Sequence, residues 1–212
     1  MDAVANGMRS YNSIMTKLRH CQLSFEAEQI LQPFAAHQQN LHALRHGTAW
    51  SDMVFYTIFM LPYRQALELV LTFIPHEYEH ELAQEQRVLL QQAREWYSHG
   101  GDLLRHQLFE QAQSIGFDNP IAGLVLSVFL SEGSVTPPGI EAVYPPPWQA
   151  LLALANVMCL ILHFYTEKPE LQEGYIEQFF LLAQGYLAHL TPASDLGRKI
   201  YLYQEPVLKE CV

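Results

Sequence analysis

The sequence predicts an all-α protein, an irregular bundle of about eight or nine helices with one long proline-rich loop. Three observations predict it. Apolar residues recur at helical spacing along most of the 212 residues, no segment shows convincing strand alternation, and capping residues, glycines and prolines separate the periodic segments. No repeat of fixed period is present, so stacked helical pairs remain an alternative arrangement of the same elements.

The first half of the chain carries a start or stop signal at most expected helix ends. Ser24 stands before an acidic first turn, and Ser51 and Asp52 can cap a later helix. Gly47 is a natural stop, and Pro62 fits the first turn of a helix. These signals predict helices near residues 25–31, 37–46, 52–61 and 62–74.

The second half begins with a long amphipathic helix, predicted from Glu77 to Tyr97. Its expected buried stripe consists of Leu82, Val88, Leu89, Ala93 and Trp96. Asp102 can cap the next helix, and Asn119 followed by Pro120 begins an almost wholly apolar helix that we expect to be central. Two more helices are predicted over residues 148–165 and 171–190.

Composition predicts one domain and limits its partners. We expect residues 1–192 to form a single helical domain and residues 193–212 to form a partly docked C-terminal tail. The net charge is −10, which disfavours nucleic acid and anionic lipid as partners. The longest apolar run, about 151–165, is too short for a membrane span, so we expect no membrane insertion.

The termini and cysteines favour a cytoplasmic location. The first residues lack the basic and apolar stretches of a secretory signal, although a substrate of a leaderless secretion system would look the same. The three widely spaced cysteines, Cys21, Cys159 and Cys211, form no Cys-x-x-Cys motif. Cys159 lies in the most apolar helix, where a thiol is usually inert. No nucleophile-elbow, phosphate-loop or dinucleotide motif is present, and no cofactor is predicted.

One motif points to an enzyme. Residues 76–80 read His-Glu-Tyr-Glu-His, the spacing with which metalloproteases bind zinc through two histidines and activate its water through the glutamate. His76 and His80 would be the ligands and Glu77 the catalytic base. Pro75 places the motif at the start of a helix, and no sequence motif identifies a third ligand. We therefore favour an acidic, solvated helix start and keep a zinc-dependent hydrolase as the alternative.

A binding role is indicated by the segment 131–147, which contains tandem prolines and two glycines. A loop of this length in a compact domain is usually functional or well packed. Aromatic residues beside prolines can anchor a protein interface, or they can pack the loop onto the protein itself. The candidate partner-binding residues are Tyr144, Pro145, Pro146, Pro147 and Trp148.

The region 51–163 resembles an uncharacterised family of bacterial helical proteins. The resemblance is most specific at 131–147, where Ser131-Glu132-Gly133-Ser134-Val135-Thr136-Pro137-Pro138 and a Pro-Pro-Pro turn match a family pattern of Ser-Gly-Gly-Ser-Leu-Ala-Pro-Pro and Pro-Pro-Pro. Glu132 stands where the first glycine is usual, and Val135-Thr136 replace Leu-Ala. The family has no assigned activity and is often encoded beside secretion-system genes, particularly type VI, so the resemblance implies an accessory or adaptor role.

These observations favour a non-enzymatic adaptor, chaperone or accessory component, with other proteins as partners. The expected setting is a bacterial secretion system, type VI or type IV, and the expected partners are machine components or a substrate. The zinc hydrolase is the first alternative. A secreted effector that acts in a target cell is the second.

Overall fold

The computed structural model describes residues 17–32, 35–47, 49–137, 139–188 and 190. Ten helices of six residues or more lie within this part of the chain, which contains no β-strand, so the predicted all-α class is confirmed. The predicted tail 193–212 lies outside the described residues. The helices are α1 (Phe25–Ile30), α2 (His37–Gly47), α3 (Trp50–Met60), α4 (Tyr63–Phe73), α5 (His76–Glu81), α6 (Gln84–His99), α7 (Asp102–Ile115), α8 (Pro120–Ser131), α9 (Pro147–His163) and α10 (Pro169–Ala188).

Helix α9 lies at the centre of the fold. It packs most extensively against α8 and also contacts α3, α4 and α10. Gly123 of α8 faces α9 so closely that an added Cβ would lie 3.0 Å from Cγ2 of Val157. The glycine therefore sets the short distance between these two helices. A single hydrophobic cluster extends from Cys21 to Leu187 and joins all of these elements.

The start of α8 follows its sequence signals. The side chain of Asn119 accepts hydrogen bonds from the backbone N–H groups of Ile121 and Ala122, and Pro120 occupies the first turn. Both features were predicted, because an asparagine cap followed by proline is a local signal. The expectation that this helix is central is also confirmed, since most of its residues are buried.

Helix α3 begins differently from the prediction. It starts at Trp50, and Asp52 is buried within its first turn instead of capping it. The Asp52 carboxylate accepts hydrogen bonds from the backbone N–H and the hydroxyl of Ser24, at 2.8 and 2.9 Å. Ser24 in turn accepts a bond from the N–H of Ala27 and caps α1, as predicted. Asp52 thus ties the N-terminal segment to the core.

The predicted long helix from Glu77 to Tyr97 is divided into α5 and α6. Leu82 and Ala83 adopt extended backbone conformations, and Leu82 is buried at this break. The side chain of Gln86 accepts a hydrogen bond from the N–H of Ala83 at 2.9 Å, which stabilises the new helix start. The break also changes the predicted stripe, because Val88 is 43% exposed and Leu90 is buried.

Candidate interaction surface

The proline-rich loop between α8 and α9 is held together by its own hydrogen bonds. The N–H of Val135 donates to the carbonyl of Val143 at 2.9 Å. The hydroxyl of Thr136 donates to the carbonyl of Glu141 at 2.8 Å. The hydroxyl of Ser134 accepts from the N–H of Val143 at 3.1 Å. These bonds join the two limbs of the loop although neither limb is a β-strand.

The buried side chain of Arg105, in α7, anchors this loop to the helices. Its Nη1 donates to the carbonyl of Phe129 in α8 at 2.6 Å, and its Nη2 donates to the carbonyl of Ser134 at 2.7 Å. Its Nε and Nη2 both donate to Oδ1 of Asp102, at 3.0 and 2.6 Å. The side chain is completely buried. One guanidinium group therefore fixes the end of α8 and the start of the loop to α7.

Arg105 also contacts an aromatic ring and forms an ion pair. The guanidinium carbon lies 4.9 Å from the centre of the Phe129 ring, within the range of a cation–π contact. Hydrogen bonding from Arg105 holds the pKa of the Asp102 carboxyl below its ordinary value. Because 70% of the Asp102 side chain is exposed, water screens its attraction to the buried guanidinium and weakens this ion pair. The carbonyl contacts of the guanidinium are the stronger constraint.

Gly133 gives Arg105 the space that it occupies. Gly133 has a φ of +70°, and an added Cβ would lie 2.6 Å from Nη2 of Arg105. Neighbouring Glu132 has φ −155° and ψ 163°, an extended conformation that any residue adopts, and its side chain is exposed. The structure therefore explains why glutamate fits where the resembling family has its first glycine, whereas the second position requires glycine.

The far side of the loop exposes apolar side chains to solvent. Ile140 is 62% exposed, Val143 52% and Tyr144 70%. Among the prolines of the predicted partner-binding set, Pro146 and Pro147 are exposed and Pro145 is half-buried. We call Ile140, Val143, Tyr144 and Pro146 the loop surface. Scattered apolar side chains are common on proteins, but several on one ordered loop are typical of an interaction site.

Trp148 differs from Tyr144, with which it was predicted to bind a partner. It is half-buried and packs against the hydrophobic core. Its ring also stacks on His20, with ring centres 4.7 Å apart and planes within 1° of parallel. The two aromatic residues thus differ, because Trp148 packs on the core at the start of α9 and Tyr144 is 70% exposed.

The His-Glu-Tyr-Glu-His motif forms the six-residue helix α5, which begins directly after Pro75 as predicted. The rings of His76 and His80 contact each other edge to face, with centres 4.2 Å apart. Oε2 of Glu77 accepts a hydrogen bond from the Tyr175 hydroxyl at 2.6 Å, which lowers the pKa of the Glu77 carboxyl. Across the described ranges, no three histidine, cysteine or acidic side chains are grouped closely enough to hold a metal ion.

The two cysteines in the described part of the chain are chemically quiet. Cys21 is completely buried, and Cys159 is half-buried. Burial, together with the negative charge of Asp52, raises the pKa of the Cys159 thiol to about 12. The same two causes raise the pKa of Cys21. The prediction that Cys159 is an inert core thiol agrees with this environment.

A comparison with models of protein families finds a match for this chain. The model of a family of unknown function, DUF6931, matches residues 40–185, which is more than half of the chain. The chain belongs to DUF6931. A search of curated proteins finds no match. A search of solved structures finds none either.

The DUF6931 match is longer than the region 51–163 in which the sequence showed a resemblance. It includes Arg105, Gly133 and the whole proline-rich loop, so the anchored loop lies within the family region. Arg105 is not among the residues predicted from the sequence. A signal was present, because Arg105 precedes Leu108 and Ala112 by three and seven residues and so lies on the buried stripe of α7. A cation at such a position needs partners that sequence spacing does not reveal.

Within the described residues of this DUF6931 chain, no helix has both the length and the apolar character that crossing a bilayer requires.

Proposed function

We propose that this protein is a non-enzymatic adaptor or accessory protein that binds another protein through the loop surface. The observation that carries the proposal is the 70% exposure of Tyr144 on a loop that a fully buried arginine holds in place. Tyrosine is enriched at protein interfaces, because its large ring buries much apolar area while its hydroxyl keeps a polar contact.

Order in the loop supports a binding role. A mobile loop loses conformational entropy when it binds, and each side chain that becomes immobile costs about 0.5–1.5 kcal/mol. The bonds from Arg105 to Ser134 and from Val135 to Val143 already restrict this loop in the free protein. Tyr144 is therefore presented in a defined position, which reduces the cost of recognition.

The backbone around Pro146 indicates the chemistry of the partner. Pro146 has φ −59° and ψ 136°, close to the polyproline II conformation. Prolines in this conformation, next to an exposed tyrosine, suit a groove lined with aromatic side chains, although Pro147 already belongs to α9. Glu132 and Glu141 are exposed on the same loop, and the whole chain has a net charge of −10. We therefore propose a partner whose aromatic groove is bordered by basic residues.

The biological setting is part of the proposal. The sequence resemblance is to proteins often encoded beside secretion-system genes, so we propose an adaptor or chaperone of a bacterial secretion machine, type VI or type IV, acting in the cytoplasm. The partner would be a component or a substrate of that machine. Detection of the protein in the secreted fraction of its host, instead of in the cell with a machine component, would favour the effector alternative.

The test is quantitative co-purification of the tagged full-length protein from its native host. We expect Tyr144→Ala to reduce recovery of the partner about tenfold or more, as expected for a hot-spot residue. Phe25→Ala is the matched control, because Phe25 is also an exposed aromatic residue, at 72%. Equal recovery with both variants would contradict the proposal.

Metal analysis of the same sample tests the hydrolase alternative. One equivalent of zinc that disappears in His80→Ala would support a zinc enzyme and overturn the non-enzymatic assignment. The bond from Tyr175 to Glu77 and the missing third ligand within the described ranges favour the adaptor.

A further inference from the structure

We propose a binding site for a phosphate group in the cleft between α5 and α6. The cleft has a volume of about 260 Å³. Its polar lining consists of His76, Glu79, His80, Arg87, Gln91 and Arg94. The site does not depend on the loop surface, and it assigns a role to the His-Glu-Tyr-Glu-His segment other than zinc binding.

The charge of the cleft is opposite to that of the protein. The chain has 22 acidic residues and 12 lysines and arginines. The cleft nevertheless brings together the guanidinium groups of Arg87 and Arg94 with one carboxylate, that of Glu79. Glu79 and Arg94 form an ion pair with each other, so the charge of Arg87 is left in excess among the lining residues. The carboxylate of Glu77 accepts a bond from Tyr175 and does not line the cleft. A positive cleft on an acidic protein selects for anions.

Arg87 is positioned to bind a ligand. Its Nη2 donates to the carbonyl of His80 at 2.7 Å, which holds the guanidinium against the end of α5. No carboxylate in the described part of the chain lies within ion-pair distance of Arg87. A guanidinium has five N–H donors, and this bond uses one of them. The remaining donors can bind an oxyanion in the cleft.

The two histidines supply further donors. His76 and His80 are exposed at the same cleft, with ring centres 4.2 Å apart. Each neutral imidazole carries one N–H donor. The two imidazole planes are 78° apart, so their donors do not share a plane, which suits the tetrahedral oxygens of phosphate better than a planar carboxylate. The positive charges of Arg87 and Arg94 disfavour a metal cation at the same place.

The size of the cleft favours a small ligand group. Pockets for drug-sized molecules and cofactors have volumes of about 300–1,000 Å³. The cleft volume of about 260 Å³ is below that range and suits a phosphate with some of its water. The phosphate can come from free inorganic phosphate or from a phosphate monoester on a larger molecule.

The test follows the arginine side-chain Nε–Hε signals of the full-length protein by NMR. Sodium phosphate, phenyl phosphate and sodium acetate are titrated separately, each against sodium chloride at equal ionic strength. We expect saturable shifts of the Arg87 and Arg94 signals with inorganic phosphate. Saturation by phenyl phosphate as well would identify a site open to monoesters. Saturation by inorganic phosphate alone would identify a site for the free ion.

A charge-matched pair of variants completes the test. Arg87→Gln should weaken phosphate binding about tenfold or more, because it removes a charge-assisted donor. Arg64→Gln also removes one exposed arginine, but Arg64 donates to the carbonyl of Tyr97 outside the cleft, so binding should not change. Shifts that never saturate, equal effects of the two variants, or binding of acetate as tight as that of phosphate would overturn the proposal.

Discussion

Gly133 lies so close to the guanidinium of Arg105 that no side chain fits at position 133 in this conformation. A Cβ at position 133 would lie 2.6 Å from Nη2 of Arg105 and 3.0 Å from Oδ1 of Asp102. A Cβ essentially never lies as close as 2.6 Å to another atom, so either the Arg105 side chain or the loop would have to move. The proline-rich loop therefore depends on a residue with no side chain next to a fully buried cation.

Replacement of Gly133 by alanine should destabilise the protein more than the same change at Gly139. Both glycines have positive φ values, +70° and +90°, so both changes impose backbone strain of about 1–2 kcal/mol. An alanine at Gly139 meets no atom within 4 Å, whereas one at Gly133 displaces Arg105. We expect losses in the free energy of unfolding of about 3 kcal/mol for Gly133→Ala and about 1 kcal/mol for Gly139→Ala. Urea denaturation measures both, and equal losses would show that the contact with Arg105 is unimportant.

Arg105→Met tests the anchor itself. Methionine keeps much of the buried volume but leaves the carbonyls of Phe129 and Ser134 without their donor, which should cost about 2–4 kcal/mol. Asp102→Asn is the control, because asparagine keeps a side-chain oxygen that can accept from Arg105 at a position that is 70% exposed, so this change should cost less than Arg105→Met. Thermal denaturation and hydrogen exchange of the loop amides measure the effect. A similar stability for both variants would contradict the anchor role.

Substitution of Trp148 should lower the stability of the protein without reducing partner binding. Trp148 stacks on His20 and packs on the core, so Trp148→Ala should cost about 2 kcal/mol of unfolding free energy. Trp148→Phe retains a ring and should lose less than half as much. Under conditions where both variants are folded, both should retain the partner. A folded Trp148→Ala protein that has lost its partner would place Trp148 in the interface after all.

The bond between Tyr175 and Glu77 makes part of the stability depend on pH. The Tyr175 hydroxyl lowers the pKa of Glu77 in the folded protein below its ordinary value of 4.5. The stabilisation is therefore present above about pH 4.5 and is lost as the pH falls through the lowered pKa. The melting temperature of Tyr175→Phe should be lower than that of the wild type at pH 7, and the difference should shrink toward pH 3.

Tyr78→Phe is the matched control for that experiment. It also removes the hydroxyl of a buried tyrosine, in the same helix as Glu77, but it leaves the bond from Tyr175 to Glu77 in place. Its difference from the wild type should not shrink between pH 5 and pH 3. If both variants show the same pH profile, Glu77 is not the titrating group.

Local signals explain what the sequence could predict. Asn119 and Pro120 mark the start of α8, and Pro75 marks the start of α5, because caps and prolines act on their own turn. The break at Leu82 and Ala83 carries no glycine or proline. It depends on the burial of Leu82 in the folded protein, which helical periodicity does not reveal.

The candidate site was predicted in outline only. Tandem prolines and aromatic residues marked the loop, but they could not show that Tyr144 faces solvent while Trp148 packs inward. The anchor was missed because Arg105 contacts carbonyls 24 and 29 residues away in sequence. Contacts at that separation arise from the packing of α7 against α8, which no local pattern specifies.

Site-specific photo-crosslinking in the native host tests the central claim most directly. A benzoylphenylalanine placed at Tyr144 is compared with one placed at Phe25, which is similarly exposed, at 72% against 70%. If the partner binds the loop surface, position 144 should give one dominant crosslinked protein and position 25 none, and the same protein should be lost from co-purification with Tyr144→Ala. A partner that co-purifies but crosslinks equally from both positions, or from neither, would contradict a loop-mediated interaction.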